Sequence, residues 1–289
     1  MQPVSAGRWF TEPVAPGVRL GYEVRQELAR DKTEYQELVL IENERFGRVL
    51  MLDGVAQTTT ADEFIYHEML SHVPLLAHGQ AAQVLIVGGG DCGLAEEVLK
   101  HPTVRGVTQV EIDAQVVEFS RRHLAQLNAP VFADDRFHLQ IADGAAFVAQ
   151  SQQQFDVVLI DSTDPTGAAQ VLFSREFYAN VRRRLRPGGV VVVQAGVPFL
   201  QPQHFAGTLQ NLADTFPISS CYLLAAPSYF GGHLALGWAS ESLAPQDVAV
   251  SLLRERRAAA GIRTRYYTPE VHQAAFALPA YIQELIAKR

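Results

Sequence analysis

Cysteine is scarce: Cys92 and Cys221 are the 2 cysteines in 289 residues, far apart and without zinc or redox spacing. That excludes a disulfide scaffold and fits reduced thiols in a cytoplasmic protein. No run of about 18 apolar residues occurs, so no membrane-spanning helix is expected. Met1 to Pro16 lack the basic-then-apolar layout of a signal peptide. Positive charge is also short. Lys and Arg number 24 against 31 Asp and Glu, a net charge of −7, which argues against nucleic acid as a partner and suits a cationic substrate. Repeats and low-complexity segments are absent. What remains is a soluble chain with 48% hydrophobic residues, enough to bury a full core.

Two regions of different periodicity follow one another. Short β-like pieces mark the first: Gly21–Val24, Glu37–Glu42 and Arg48–Leu52, with turn signals at Asn43 and Asp53-Gly54. A helical stretch, Ala61 to Leu76, closes it, with Phe64, Ile65, Met69, Leu70 and Val73 at helical spacing. From about Gln83 strands and helices alternate as in a doubly wound parallel sheet, the strands being Val84–Val87, Val107–Ile112, His138–Ala142, Val157–Ile160 and Val190–Gln194. Arg182–Arg184 and Arg186 read as a solvated helix end before a turn at Pro187-Gly188-Gly189. A last strand pair is expected through Cys221–Ala226 and His233–Ser240, with helices from Pro245 onward. The chain therefore divides into an N-terminal β domain with a linking helix, residues 1–78, and an α/β Rossmann-like domain, residues 79–289.

The strand Val84–Val87 runs into Gly88-Gly89-Gly90 and then Asp91. A glycine turn between strand and helix normally offers backbone N–H groups and a positive dipole end to an anion. Here a carboxylate stands in that place, repelling phosphate and attracting ammonium. Glu111, Asp143 and Asp161 end successive strands and Asp164 follows shortly after, so acids converge on the crevice where such sheets bind ligands. This much negative charge disfavours a dinucleotide and favours an adenosyl sulfonium. Ordinary S-adenosylmethionine carries a carboxylate that Asp91 would repel. Its decarboxylated form presents a primary ammonium instead, and the group transferred becomes aminopropyl.

These segments resemble the polyamine aminopropyltransferase family over nearly the whole chain. The similarity rests on Leu52–Thr58, Asp62–Met69, the Gly88–Asp91 turn, Val110–Asp113, Asp161–Pro165, Pro227–Gly232, Arg265–Tyr267 and Ala274–Pro279. The resemblance implies a Rossmann-like, methyltransferase-type sheet with a small N-terminal antiparallel β domain. It implies that Gln36, His67, Gly88, Asp91, Glu111, Ile112, Asp143, Gly144 and Asp161 hold decarboxylated S-adenosylmethionine as co-substrate, with no prosthetic group. It puts a diamine, putrescine, beside Tyr66, Asp161, Asp164, Gln194 and Tyr229. Ser162 to about Phe173 resembles the family's gatekeeping loop, and a homodimer or homotetramer joined partly through the β unit is implied. Departures are Thr58–Ala61 where a threonine, a glutamate and an arginine are usual, Cys92 for a glycine, Glu96 for an arginine, Ala168 for a proline, and Gly196 where many members have a glutamate that helps hold the far amine.

The chemistry calls for a base. A primary amine has a pKa of about 10.4, like lysine, so its neutral form costs roughly 4 to 5 kcal/mol at neutral pH. Asp161 is the expected base, assisted by the phenol of Tyr66, with Asp164 holding the amine in line. No metal is expected, because His67 and His72 are five apart and leave one helical face. Plainer readings exist: Tyr66 as a core aromatic, His67 as a satisfied histidine, Tyr229 as a turn aromatic, any single acid as a loop cap. Two other functions stay open, a putrescine methyltransferase using intact S-adenosylmethionine and a polyamine-binding protein without turnover.

Overall fold

The computed structural model describes residues 7–165 and 167–288; residues 1–6 of the stretch read for a leader lie outside the described residues. A hairpin of β1 (Trp9–Ala15) and β2 (Val18–Glu23) precedes a four-stranded antiparallel sheet, β3 (Gln26–Lys32), β4 (Glu37–Asn43), β5 (Gly47–Leu52) and β6 (Val55–Thr59). The expected β pieces fall in β2, β4 and β5. The sequence reading passed over β3 because it is a charged, largely exposed edge, a composition that protects edges from stray pairing. The turn at Asn43 closes through its side chain, whose Oδ1 accepts the N–H of Arg45 and Phe46, both at 2.9 Å.

Leu38–Ile41 is apolar at every position because both faces of β4 are covered. Leu38 and Leu40 pack with Leu50 against Val116, Phe119, Leu124 and Leu127, while Val39 and Ile41 pack with Val49, Met51 and Tyr22 on the other side. One face thereby fastens the β unit to helix α3 (Ala114–His123) and the turn after it.

Helix α1 (Glu63–His78) starts two residues later than its apolar spacing suggests, because Thr59 shapes the turn before it. The Thr59 hydroxyl donates to Asp62 Oδ1 at 2.7 Å and accepts the N–H of Ala61 and Asp62. Gly79, in the left-handed region, stops the helix by donating its N–H to the Leu75 carbonyl.

The central sheet has seven strands in the order β12-β13-β11-β10-β7-β8-β9: β7 (Gln83–Gly88), β8 (Gly106–Glu111), β9 (Phe137–Ile141), β10 (Phe155–Asp161), β11 (Leu185–Gln194), β12 (Ile218–Leu224) and β13 (Leu234–Ser240). β7 to β11, the five strands expected of a parallel sheet, are parallel neighbours, and the expected last pair joins the same sheet in the other sense: β13 runs antiparallel to β11, and β12 to β13. Alternate residues feed two cores, Val84 and Ile86 on one face and Leu85 and Val87 on the other, which is why the central strands read as continuous apolar runs. Crossovers pass through α2 (Gly93–Leu99), α3, α5 (Gly144–Gln150) and α6 (Arg175–Arg184), with a short α4 (Ala125–Asn128) after α3; α7 (Pro202–Ala213) leads to β12. The expected turn at Pro187–Gly189 is instead a bulge inside β11: Leu185 pairs with Phe155 and pairing resumes at Val190 opposite Val157, with Gly188 at φ 79°. α6 does end in Arg182–Arg184, although Arg182 also donates to the Thr215 carbonyl at 2.7 Å. The C-terminal helices are α8 (Val250–Ala260), α9 (Pro269–Ala275) and α10 (Ala280–Ala287). Both cysteines are free and buried, and among the described residues no helix is long and apolar enough to cross a membrane.

One buried carboxylate ties the C-terminal segment to α1. Glu68 accepts the backbone N–H groups of Arg265, Tyr266 and Tyr267 at 2.7, 2.8 and 2.7 Å. Bonds from N–H to a charged acceptor contribute about 1.5–3 kcal/mol each and are not additive. Glu68→Gln turns an amide NH2 toward these donors, and we expect a stability loss of about 3 kcal/mol, read from the midpoint of denaturant unfolding.

Candidate active site

The carboxyl ends of β7 and β10 approach so closely that only glycine fits between them. A Cβ on Gly88, at φ 86°, would lie 2.1 Å from the Asp161 carbonyl oxygen, and the Gly89 N–H donates to that same oxygen at 2.7 Å. Gln109 braces the turn from β8, its Nε2 donating to the carbonyls of Gly88 and Gly89 at 3.0 and 2.6 Å. Asp91 then accepts the Gly93 N–H on Oδ1 at 2.8 Å, so the first N–H of α2 is met by protein. Cys92 between them is held at φ 60°, the left-handed region, which accounts for glycine being usual there in the resembling family.

Helix α1 lays Tyr66 and His67 over this turn. Tyr66 Oη donates to Asp161 Oδ1 at 2.9 Å. His67 Nδ1 meets Glu63 Oε2 at 2.8 Å, and its Nε2 lies 3.7 Å from Asp91 Oδ1. Burial alone would hold His67 neutral, but the charges of Asp91 and Glu63 and the bond to Glu63 outweigh it and raise its pKa to about 10. Burial pushes the Asp161 carboxyl up to about 6, with the His67 charge pulling it down, Asp91 pushing it up, and the Tyr66 hydrogen bond again lowering it. The Tyr66 phenol is driven well above its usual value, chiefly by burial and then by Asp161, so it stays protonated and can donate to Asp161.

Further along the strand ends, burial pushes Glu111 up to about 7 while the Asp113 N–H, donated to its Oε1 at 2.9 Å, opposes the shift. Asp113 caps α3 through the Gln115 N–H and on its other oxygen accepts Thr33 Oγ1 at 2.7 Å and Gln36 Nε2 at 3.1 Å. That contact is how Gln36, from the β unit, reaches the crevice. Ile112 is half-buried between the two acids. Asp143 is exposed and caps α5, its Oδ1 accepting the N–H of Ala145 and Ala146 at 2.8 and 3.0 Å. Gly144 has no room for a side chain, since a Cβ would fall 2.5 Å from Val87 Cγ1. Leu172, in the short 3-10 turn Gly167–Phe173 of the loop read as a gate, approaches Gly144; Thr166 of that loop lies outside the described residues.

At the opposite end Asp164 stands between two amides, Gln194 Nε2 at 3.5 Å and Gln201 Nε2 at 2.6 Å. Tyr229 donates to the Gln57 carbonyl at 2.8 Å, and its ring centroid lies 5.9 Å from that of Tyr66. Asp62 fixes this wall by accepting the Ser228 N–H at 2.7 Å. Glu12, buried, accepts the Ala56 N–H at 2.6 Å; burial raises its pKa and the charge of Asp164 adds to the rise.

The crevice thus brings together Gly88, Asp91, Glu111, Tyr66, His67 and Asp161 at its centre, Gln36, Ile112, Asp143 and Gly144 at one end, and Asp164, Gln194 and Tyr229 at the other. Sequence reasoning passed over Glu63, Asp113, Glu12 and Gln201. Glu63 carried a signal, its i,i+4 spacing to His67 on one helix face. Asp113 carried one as a helix-cap residue before α3, whereas its contacts with Thr33 and Gln36, and those of Glu12 with Ala56 and Gln201 with Asp164, cross between elements and carried none. His72 turns away from His67, its Nδ1 meeting His101 Nε2 at 2.9 Å, and among the described residues no group of three or more His, Cys, Asp or Glu is placed to hold a metal.

Comparison with known proteins identifies the family. Residues 63–248 match the spermine/spermidine synthase domain and residues 8–60 the spermidine synthase tetramerisation domain. A polyamine aminopropyltransferase of Ruegeria sp. (strain TM1040) is 49% identical over 96% of this chain and 98% of its own. One from Escherichia coli O1:K1 is 46% identical over 93% of each chain. Among solved structures, a spermidine synthase in complex with the transition-state analogue AdoDATO superposes with a TM-score of 0.93 at 35% identity, covering 99% of this chain and 97% of that one. The spermidine synthase from Thermotoga maritima gives a TM-score of 0.91 at 34% identity, covering 99% and 96%. The fold and the acid-lined crevice define a group-transfer enzyme of the Rossmann-like class. The chain belongs to the spermine/spermidine synthase family, the polyamine aminopropyltransferases.

The raised pKa of Asp161 has a stability cost. Its carboxyl goes from 3.8 to about 6 on folding, so the folded state binds the proton more tightly than the unfolded one. The cost is absent below the unfolded value, grows between the two and is complete above about pH 6. Asp161→Asn removes the charge, and we expect the variant to exceed the parent by about 3 kcal/mol at pH 8, with the difference gone near pH 3, read from denaturation midpoints across pH.

Proposed function

We propose that the chain is a spermidine synthase: it transfers the aminopropyl group of decarboxylated S-adenosylmethionine to putrescine, giving spermidine, 5′-methylthioadenosine and a proton. The observation that carries this reading is the cluster of Tyr66, His67, Asp91 and Asp161. It combines a buried carboxylate with a phenol donor at 2.9 Å and a second acid 3.7 Å from a protonated histidine, at the carboxyl end of the sheet. The N–H at the start of α2, where a substrate carboxylate would otherwise be received, is taken by Asp91, whose own charge suits an ammonium.

In this reading Gln36, Glu111, Ile112, Asp143 and Gly144 take the nucleoside, Glu111 accepting from the ribose hydroxyls and Asp143 from the adenine amine. Gly88, Asp91 and His67 line the aminopropyl arm. Tyr66, Asp161, Asp164, Gln194 and Tyr229 take the diamine. Asp161 accepts a proton from the near ammonium of putrescine, freeing the nitrogen lone pair. That lone pair forms the new N–C bond as the C–S bond breaks, its electrons returning to sulfur and discharging the sulfonium to a thioether. The nitrogen emerges as a secondary ammonium, and the proton on Asp161 passes to solvent. Tyr66 holds the Asp161 carboxylate in line throughout, and Asp164 fixes the far ammonium, which supplies the orientation that such a displacement needs.

We also divide the molecule functionally after residue 78. The preceding segment acts as an assembly and substrate-closing unit that adds Gln36, Tyr66 and His67 to the site, and residues 79–289 supply the other groups that hold the donor. The match of residues 8–60 to a tetramerisation domain supports a homodimer or homotetramer formed through the β unit. Two free, buried cysteines support residence in a reducing compartment, the cytoplasm.

Product analysis by mass spectrometry with the decarboxylated donor and putrescine tests the assignment, and absence of both spermidine and methylthioadenosine overturns it. Asp161→Asn is expected to lower kcat by about 100-fold to 10,000-fold; turnover near the parent rate removes Asp161 as the base. Asp91→Ala is expected to weaken binding of the decarboxylated donor by about tenfold, as loss of one charge-assisted contact should. It should also narrow the gap to intact S-adenosylmethionine, and an unchanged ratio of the two affinities in calorimetry counts against the role given to Asp91.

A further inference from the structure

The far end of the crevice is built differently from the rest. Gln201, just before α7, is engaged at both ends of its amide: Oε1 accepts the Val197 N–H at 2.9 Å, and Nε2 donates to Asp164 Oδ2 at 2.6 Å. Gln194 approaches the other Asp164 oxygen and is itself fixed, its Oε1 accepting the Gly196 N–H at 2.9 Å. Asp164 is therefore held by amides from the end of β11 and the start of α7.

The same glutamine accounts for Gly196. A Cβ there would fall 2.4 Å from Gln201 Oε1 and 2.7 Å from His204 Cδ2, and the backbone is at φ 72°, which L side chains rarely adopt. A glutamate at position 196 and Gln201 in this position exclude each other. His204 closes the space behind, its Nε2 buried without a hydrogen-bond partner and its ring 4.9 Å from that of Phe173 in the loop over the site. Burial lowers the His204 pKa against the opposing pull of Asp164, so the ring adds no fixed charge.

We propose that Gln201 is a specificity-determining residue that sets the length of the amine acceptor. This rests on the functional reading above, in which Asp161 takes the near nitrogen and Asp164 the far one. Clamping Asp164 fixes the span between those two carboxylates, and a neutral amide fills the place of a second acid beside it. A diamine matched to that span pairs both of its nitrogens. A longer diamine must displace Asp164 from Gln201, and a triamine meets an amide in place of a further carboxylate. A hydrogen bond to a charged group contributes about 1.5–3 kcal/mol, enough for discrimination of about tenfold or more.

The experiment measures kcat/KM for diaminopropane, putrescine, cadaverine and spermidine with the decarboxylated donor, in the parent enzyme, Gln201→Ala and Gln201→Met. The methionine variant keeps the volume and removes both hydrogen bonds, so it remains informative if the alanine variant folds poorly. Both variants are expected to raise the KM for putrescine about tenfold and to lower the ratio of kcat/KM for putrescine over cadaverine about tenfold, with the KM for the donor within about twofold of the parent. A role in structure alone would depress all acceptors together and leave the ratio where it was, and that result overturns the proposal. If the parent itself forms no methylthioadenosine with any acceptor, the functional reading fails and this inference falls with it. A parent that is active with unchanged acceptor ratios in both variants overturns only the role of Gln201.

Discussion

The contact between Gly88 and the backbone of Asp161 is the constraint on which the site depends. Adjacent parallel strands end here at the same level, and the Gly89 N–H bound to the Asp161 carbonyl locks the glycine turn to the end of β10. Had either residue carried the turn differently, the Asp161 carboxylate would point elsewhere. Because the strands are fixed, α1 can deliver Tyr66 to one carboxylate oxygen while the glycines leave the other side open. The cost of that close approach is borne by residues with no side chain to lose.

Charge is the second organising element. Acids that individually would repel one another share a small volume, and the protein tolerates this by unequal means. His67, held protonated by Asp91 and Glu63, offsets part of the repulsion at the centre. Burial raises Glu111 and Asp161, which lowers their mean charge near neutrality in the free protein. A cationic ligand entering this volume restores the ionised forms, so its binding and the charging of the site are coupled. A dinucleotide phosphate would deepen the repulsion instead.

The fold was legible where burial on both sides of a strand left continuous apolar runs, as in β7, β10 and β11, and the acids Asp91 and Asp161 beyond β7 and at the end of β10 followed from that reading. The charged edge strand β3 was hidden by its own protective composition. The bulge in β11 was hidden because Pro187-Gly188-Gly189 reads locally as a turn, and only pairing with β10 carries the strand through it. Contacts across long separations were equally silent. Nothing near Glu68 announces that it will hold the backbone of Arg265–Tyr267, nor does Asp113 signal that Gln36 will meet it. Those pairs arise from packing of the β unit and the C-terminal segment on the sheet, which local periodicity does not encode.

Asp91 joins the two levels. In sequence it is an anomaly, an acid at a turn suited to anions. In the structure one of its oxygens consumes the N–H that would otherwise bind an anion, satisfying the start of α2 internally. The plain role of a loop cap and the functional role are therefore not alternatives. By accepting the Gly93 N–H, the Asp91 carboxylate stands where an anion would approach the start of α2, with His67 beside it. In the function proposed above, this single side chain turns a widespread nucleotide-binding turn from one suited to a carboxylate into one suited to an amine.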